Sequence, residues 1–324
     1  MVRCSAIFEE IFTHHEMENH DESSARLKAA LEGIPKDIPV IAPSCAPESD
    51  LTRVHTPSYI RMIRDFSSHG GHHFLDPSTY VDEETYTVAS FAAGAAAESV
   101  NRSIDGESCF AIIRPPGHHA EPDRAMGFCI FNNAAIAAAV ALDRVDKVAI
   151  IDWDLHHGNG TQKIFEADDQ VLFCSIHQGN IFPYTGWVDE IGTGAGKGFT
   201  INAPLRAGST IADYRLVFEE VFIPALDEFR PDAIIISAGQ DALFDDPKSG
   251  MVLFPADYGT LTALVRDATE HQLALVLEGG YGPSHGDAVR QIFSSLQGSP
   301  VPSTQSEPHR TTRNIVATLK KLRM

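Results

Sequence analysis

Short apolar runs alternate along the chain with longer segments whose apolar residues recur at helical spacing. The runs Ser5–Phe8, Cys109–Arg114, Lys147–Asp152, Val171–Ile176, Ala233–Ser237 and Leu273–Leu277 are mostly rich in Ile, Val and Ala and lack polar alternation. Runs of that kind predict strands covered on both faces. Between them, Tyr86–Ser99 and Asn133–Leu142 are Ala-rich, and Tyr214–Phe229 and Ala256–Thr269 carry apolar residues at helical spacing. Helices are predicted there, with a bend at Pro224, because proline removes an amide donor and crowds the preceding turn. Alternating strands and helices predict an α/β fold with a mostly parallel sheet flanked by helices. In such sheets the active site lies beyond the carboxyl ends of the strands.

Towards the end of the sequence, Gly298–His309 (GSPVPSTQSEPH) is rich in Pro and Ser and reads as a linker. A last helix is predicted over 310–324, with Ile315, Val316, Leu319 and Leu322 on one face that packs back on the domain. No internal repeat is visible, so residues 1–324 read as a single domain.

Composition narrows the function classes. Apolar residues make up 43% of the 324 and charged residues 21%, which suits a folded chain with a large core. The net charge of −19 argues against a nucleic-acid partner. It is compatible with steering of a cationic substrate, or simply with a well-solvated surface. Cys4, Cys45, Cys109, Cys129 and Cys174 are odd in number and form no C-x-x-C, against a disulfide framework or a zinc knuckle. They suit a reducing compartment. No signal peptide or membrane-length apolar run is visible, so a cytoplasmic location and no membrane partner are expected.

The densest polar run, Asp152-Trp153-Asp154-Leu155-His156-His157-Gly158-Asn159-Gly160, directly follows an apolar strand. In extended chain Asp152, Asp154 and His156 share a side, and Asp and His so spaced can chelate one divalent ion. A charged loop capping the next helix is the plainer alternative. A catalytic ion usually takes three protein ligands and keeps one position for water. Asp241, after the apolar run Ile234–Ile236 and the small residues Ser237-Ala238-Gly239, can supply the third; taken alone it would be a helix cap. Cys109–Arg114 ends in Pro115-Pro116-Gly117-His118-His119, a rigid turn presenting paired imidazoles suited to proton transfer. Glu278-Gly279-Gly280-Tyr281-Gly282 ends another strand, and Tyr281 is a neutral donor suited to a developing oxyanion. Gly192–Gly198 imitates a phosphate loop but has Ile191 at its first glycine position and Gly198 where Ser or Thr belongs. His69, His72 and His73 are expected in a mobile surface loop.

Together RPPGHHA (Arg114–Ala120), GFCIFNN (Gly127–Asn133), IDWDLHHGNGTQ (Ile151–Gln162), SAGQDA (Ser237–Ala242) and LEGGY (Leu277–Tyr281) resemble, in order and spacing, the histone deacetylase family. The likeness is to class II-like bacterial and archaeal members, among them acetylpolyamine amidohydrolases and acetoin-utilisation-type proteins. It implies the arginase–deacetylase fold and hydrolysis of an acetyl-amide on acetyl-lysine or an acetylpolyamine. It assigns Asp154, His156 and Asp241 as ligands of Zn2+, with Fe2+ or Co2+ compatible with the same set. It makes His119 the general base and then acid, with His118 an electrostatic partner. Asp152 would orient His118, and Asn159 would orient His119. Tyr281 would bond the substrate carbonyl, Gly127, Phe128 and Phe182 would form a narrow tunnel, and Arg26 would line an inner cavity. A structural K+ would use Asp152, Asp154, His156, Ser175 and Ile176.

The sequence departs from the family pattern at Gln240, at Tyr184 in place of a glycine, and at Gly282-Pro283-Ser284-His285. Two other functions compete. An arginase-like ureohydrolase would need two manganese ions and more ligands. A non-catalytic acyl-amine binding protein would not need His118, His119 and Tyr281 together. Acidic segments at Glu9–Glu22, Asp76–Glu84 and Asp245-Asp246 are expected to form a negative rim that attracts a cationic substrate.

Overall fold

A computed structural model of the chain describes residues 3–299 and 306–323. Ten strands are found among them: β1 (Cys4–Ile7), β2 (Val40–Ile41), β3 (His73–Phe74), β4 (Tyr80–Val81), β5 (Ser108–Ala111), β6 (Val148–Asp152), β7 (Val171–Gln178), β8 (Thr200–Leu205), β9 (Ala233–Ala238) and β10 (Leu273–Leu277). Eight form one sheet in the order β2-β1-β5-β10-β9-β6-β7-β8, and every pairing in it is parallel. β5, β6, β9 and β10 are buried throughout, which is why they read as unbroken apolar runs. All six predicted strands are present. β2 and β8, which the pattern did not predict, close the two edges.

The β5 ladder stops at Ala111, three residues before the predicted end at Arg114. Pro115 and Pro116 follow and carry no amide hydrogen with which to extend it. Because β5, β10, β9, β6 and β7 are successive neighbours, their carboxyl-end loops meet in one place. Asp152 at the end of β6 is in register with Ser175 on one side and Ser237 on the other.

Helices cover the sheet. The predicted Ala-rich segments are the helices Thr85–Ile104 and Asn133–Ala141, and the predicted Ala256–Thr269 is Pro255–Asp267. The expected bend at Pro224 is a change of helical register instead: Ile211–Val217 is α-helical, Phe218–Phe222 forms a π turn, and Ile223–Phe229 returns to α. The amide of Ile223 bonds back to Phe218, so the wider turn accommodates the donor missing at Pro224.

The stretch expected as a histidine loop is more ordered than that. His69 ends the helix Pro57–His69, Gly70 and Gly71 turn at φ 68° and 73°, and His73 pairs with Val81 in the antiparallel β3–β4 hairpin. The helix Arg310–Leu322 buries Val316 and Leu319, but Leu322, expected on the packed face, is 43% exposed. Buried Asp213 holds this helix by accepting from the His309 amide at 2.7 Å and the Thr312 hydroxyl at 2.6 Å. Residues 300–305 of the expected linker lie outside the described residues. No helix among the described residues is long and apolar enough to cross a membrane.

Candidate active site

β6 delivers the polar run to the carboxyl edge of the sheet. Asp154 and His156 converge there with Asp241, which follows β9, and one ligand atom from each lies within 4.8 Å of the other two. His156 Nδ1 is 3.0 Å from Asp241 Oδ2 and 3.3 Å from Asp154 Oδ1. The outer oxygens are fixed by backbone amides: Gly279 N–H donates to Asp154 Oδ2 at 2.8 Å and Leu155 N–H to Asp241 Oδ1 at 2.8 Å.

The donor set fits a divalent cation. Burial and the nearby Asp154 push the Asp241 carboxyl up to about 7, while burial of His156 is outweighed by its bonds to both carboxylates, which raise it to about 9. Two buried carboxylates in mutual repulsion are stabilised by a cation between them. The surrounding backbone leaves room for no more than the side chains. A Cβ on Gly239 would meet Asp154 Oδ2 at 2.0 Å, and one on Gly279 would meet Asp241 Oδ2 at 2.6 Å. These two glycines form the cradle that lets the three side chains close on one point.

Asp152 does not join that cluster. Its Oδ2 accepts from His118 Nδ1 at 3.0 Å and its Oδ1 from the Asp154 amide at 3.1 Å. His119 Nδ1 faces Asn159 Oδ1 at 2.8 Å, and the Asn159 amide nitrogen donates to Glu121 Oε1 at 2.9 Å. The two imidazoles lie 4.0 Å apart, centre to centre. Their surroundings separate their titrations. Burial opposes charge on His118, but Asp154 and Asp152 raise its pKa well above the ordinary value. Burial, His118 and His156 hold His119 well below it. Oppositely shifted neighbours of this kind suit one cationic and one basic role.

These groups open into a cavity of about 270 Å³ whose wall includes Gly127, Phe128, Phe182, Lys248 and Tyr281. Gly127 turns at φ 57°, and a Cβ there would strike His119 Cδ2 at 2.5 Å and Phe182 Cε1 at 2.9 Å. Only a glycine keeps this passage open beside the imidazole. Phe182 stands edge-on to His119 at 5.0 Å, and Phe128 edge-on to Tyr281 at 5.9 Å. Arg26 stacks over the Tyr281 ring at 5.0 Å and donates from Nε to Gly280 O at 3.0 Å. Burial raises the Tyr281 hydroxyl well above its ordinary pKa, so it is a donor at neutral pH. Of the residues expected at a K+ site, Asp152 and Ser175 are register partners, and Ile176 follows Ser175 in β7.

The roles of several site residues were not legible in the sequence. Glu278 Oε2 accepts from the Gly117 and His118 amides at 2.7 and 3.1 Å, tying the histidine turn to β10. Glu278, His118 and Cys129 form a second compact group of ligand-type side chains, but its carboxylate is already engaged by those amides and by Ser237 Oγ at 3.2 Å. Asp246 Oδ2 accepts from the Tyr281 and Gly282 amides at 2.6 and 2.9 Å. A glutamate after an apolar strand and an Asp pair near a Pro were visible signals; their amide partners, 35 or more residues away in sequence, were not. His20 packs edge-on against Phe128 at 5.0 Å. Tyr184, which stands where a glycine was expected, adopts φ 63° and is 68% exposed. Gln240 is buried. His285 is buried with neither ring nitrogen hydrogen-bonded, and burial and Arg26 lower it to about 3.

A family model for the histone deacetylase domain matches residues 17–296. A probable deacetylase of Archaeoglobus fulgidus is 37% identical over 295 residues, covering 87% of this chain and 82% of that protein. A histone deacetylase-like amidohydrolase of Pseudomonas aeruginosa is 38% identical over 292 residues, covering 85% and 76%. A crystal structure of the HDA15 HD domain superposes with a TM-score of 0.93 at 33% identity, covering 99% of this chain and 94% of that one.

Proposed function

The chain belongs to the histone deacetylase family and carries its deacetylase or amidohydrolase chemistry, and we propose that it is a metal-dependent enzyme that hydrolyses the acetyl-amide of acetyl-lysine or an acetylpolyamine. The products are the free amine and acetate. The observation that carries this reading is the meeting of Asp154, His156 and Asp241 with His119 and Tyr281 at one narrow cavity.

Asp154, His156 and Asp241 would hold Zn2+, and Fe2+ or Co2+ suit the same donors. Such an ion, when bound, polarises the acetyl carbonyl and lowers the pKa of water. His119 accepts the proton of the attacking water at Nε2, since Nδ1–H is committed to Asn159, and returns it to the leaving nitrogen. His118, paired with Asp152, offers a positive charge beside the developing oxyanion. Tyr281 donates its hydroxyl to that oxygen, and Arg26 holds the Tyr281 turn from behind. Phe128, Phe182 and Gly127 admit an uncharged alkyl stem. A structural K+ would lie with Asp152, Asp154, His156, Ser175 and Ile176.

The test is acetate release from a panel of acetyl-lysine peptides and acetylated polyamines, with metal content measured on the same sample. Turnover that tracks the bound divalent ion supports the proposal; full metal content with no turnover on any acetylated amine contradicts it.

A further inference from the structure

Phe182, on the cavity wall beside His119, belongs to a loop that is tied down a few residues further along the chain. Glu190 does most of the tying. Its Oε1 accepts from the amides of Gly186 and Trp187, each at 3.1 Å, and its Oε2 accepts from Gln162 Nε2 at 2.6 Å. Gln162 lies on the helix Asn159–Phe165, which directly follows the run that carries Asp154 and His156.

Donors and acceptors are matched throughout this network. A carboxylate only accepts, so Gln162 turns its nitrogen to Glu190 and its oxygen to Asn202 Nδ2 at 2.7 Å and His157 Nε2 at 3.0 Å. His157 is then the donor at Nε2, and its bare Nδ1 accepts the Thr185 hydroxyl at 2.8 Å. Gly186 O accepts from His177 Nε2 at 3.0 Å. Gly186 turns at φ 83°, and a Cβ there would strike His157 at 2.5 Å and His177 at 2.6 Å. Thr185, Gly186 and Trp187 are thus each fastened to the body of the domain. Phe182 is 37% exposed, so packing alone does not fix it.

We propose that Glu190 is a positioning residue for substrate binding: by clamping Gly186 and Trp187 to Gln162, it holds Phe182 against the passage and sets the width offered to the alkyl stem. This rests on the deacetylase function proposed above and deepens it. Glu190 is outside the described cavity lining and acts through Phe182.

The test uses the metal-loaded protein with an acetyl-lysine peptide amide as substrate. In Glu190→Gln one end of the carboxylate becomes a donor, which leaves either the loop amides or Gln162 facing another donor. KM should rise roughly tenfold with little change in kcat, because the stem packs on Phe182 equally before and during the reaction. Gln162→Glu alone sets two carboxylates against each other and should give the same rise from the helix side, which also covers the case where Glu190→Gln does not fold. The double variant Glu190→Gln, Gln162→Glu exchanges the two end groups and should recover most of the loss. In a Phe182→Ala background, Glu190→Gln should add little, since the side chain it positions is gone. A second readout needs no turnover. The two tryptophans are Trp153, which is buried, and Trp187, whose amide Glu190 holds. Acrylamide quenching of tryptophan emission should increase in Glu190→Gln and return to the wild-type level in the exchanged pair. If Glu190 serves stability alone, Glu190→Gln lowers Tm while KM and quenching stay at wild-type values, and the proposal is overturned. Additive losses in the Phe182→Ala background also overturn it, because Glu190 would then act on something else. Absence of wild-type turnover on any acetylated amine is a different result, in which the deacetylase function itself falls and this inference with it.

Discussion

His119 Nδ1 lies 2.8 Å from Asn159 Oδ1, and the orientation of that amide is fixed by its other end, which donates to Glu121 Oε1 at 2.9 Å. A carboxylate only accepts, so Asn159 must turn its nitrogen to Glu121 and its oxygen to His119. The imidazole therefore carries its proton on Nδ1 and turns a bare Nε2 away from Asn159. A neutral partner fixes the tautomer without adding charge, and burial and the neighbouring histidines hold the His119 pKa down, so Nε2 stays unprotonated.

Replacing Asn159 by Asp should expose this arrangement. A carboxylate beside Nδ1–H favours the imidazolium and raises the His119 pKa. A base is active only when unprotonated, and its activity is lost as pH falls through its pKa. The acid limb of kcat/KM should therefore move to higher pH in Asn159→Asp. An unmoved limb would assign the base role to another group.

Tyr281→Phe should keep the metal and lower kcat by roughly 10²–10³, the usual loss for one oxyanion donor. Metal analysis and steady-state kinetics on the same sample read both quantities. A variant with full activity would show that the oxyanion is held without Tyr281.

Gly239→Ala places a Cβ where Asp154 Oδ2 now sits 2.0 Å away. Either the carboxylate or the backbone must yield, and the ligand set opens. Metal affinity should drop by roughly 10–100-fold, the range seen when the support of a ligand is lost. Circular dichroism should show a folded protein. Unchanged affinity would mean that Asp154 is not a ligand.

Glu22 provides a separate test, on stability. Burial opposes its charge, but Arg114 and Arg26 lower its pKa from 4.5 to about 2. A carboxyl whose folded pKa is depressed contributes stability above its unfolded value, and that contribution is lost as pH falls through the folded one. By linkage the ion form is worth about 3 kcal/mol. Glu22→Gln leaves Arg114 buried without its bidentate partner and should destabilise by roughly 3–5 kcal/mol at pH 7. In denaturant titrations the gap to wild type should narrow below about pH 4.5 as Glu22 protonates. A gap constant down to pH 3 would contradict the ion-pair origin.

How much of this was legible in the sequence depended on the range of each interaction. β6 and β9 announce themselves because strands covered on both faces are continuously apolar, and the polar residues that follow them, Asp154, His156 and Asp241, form the site's floor. β8 was missed because Pro204 and Asn202 interrupt its apolar pattern, which an edge strand tolerates. The site's supports, Glu278 under His118 and Asp246 under Tyr281, bind backbone amides, and a backbone amide leaves no mark in sequence. The acidic segments were legible only as a count: Glu10, Glu16, Glu18, Asp21 and Glu83 are exposed, whereas others are engaged inside the protein. Counting carboxylates does not reveal that Glu22, Asp76 and Asp246 are already paired, nor that Lys248 lines the cavity.

The central claim is that three ligands hold one divalent ion that the acetyl-amide needs for hydrolysis. Its most direct test is elemental analysis and acetate release on one preparation, before and after chelation, for wild type and Asp241→Ala. The account predicts one divalent catalytic ion per wild-type chain, loss of acetate release on chelation and its return when the ion is restored. Asp241→Ala should remain folded but hold no ion and release no acetate. Two catalytic ions per chain, or undiminished acetate release from the chelated protein, would contradict it.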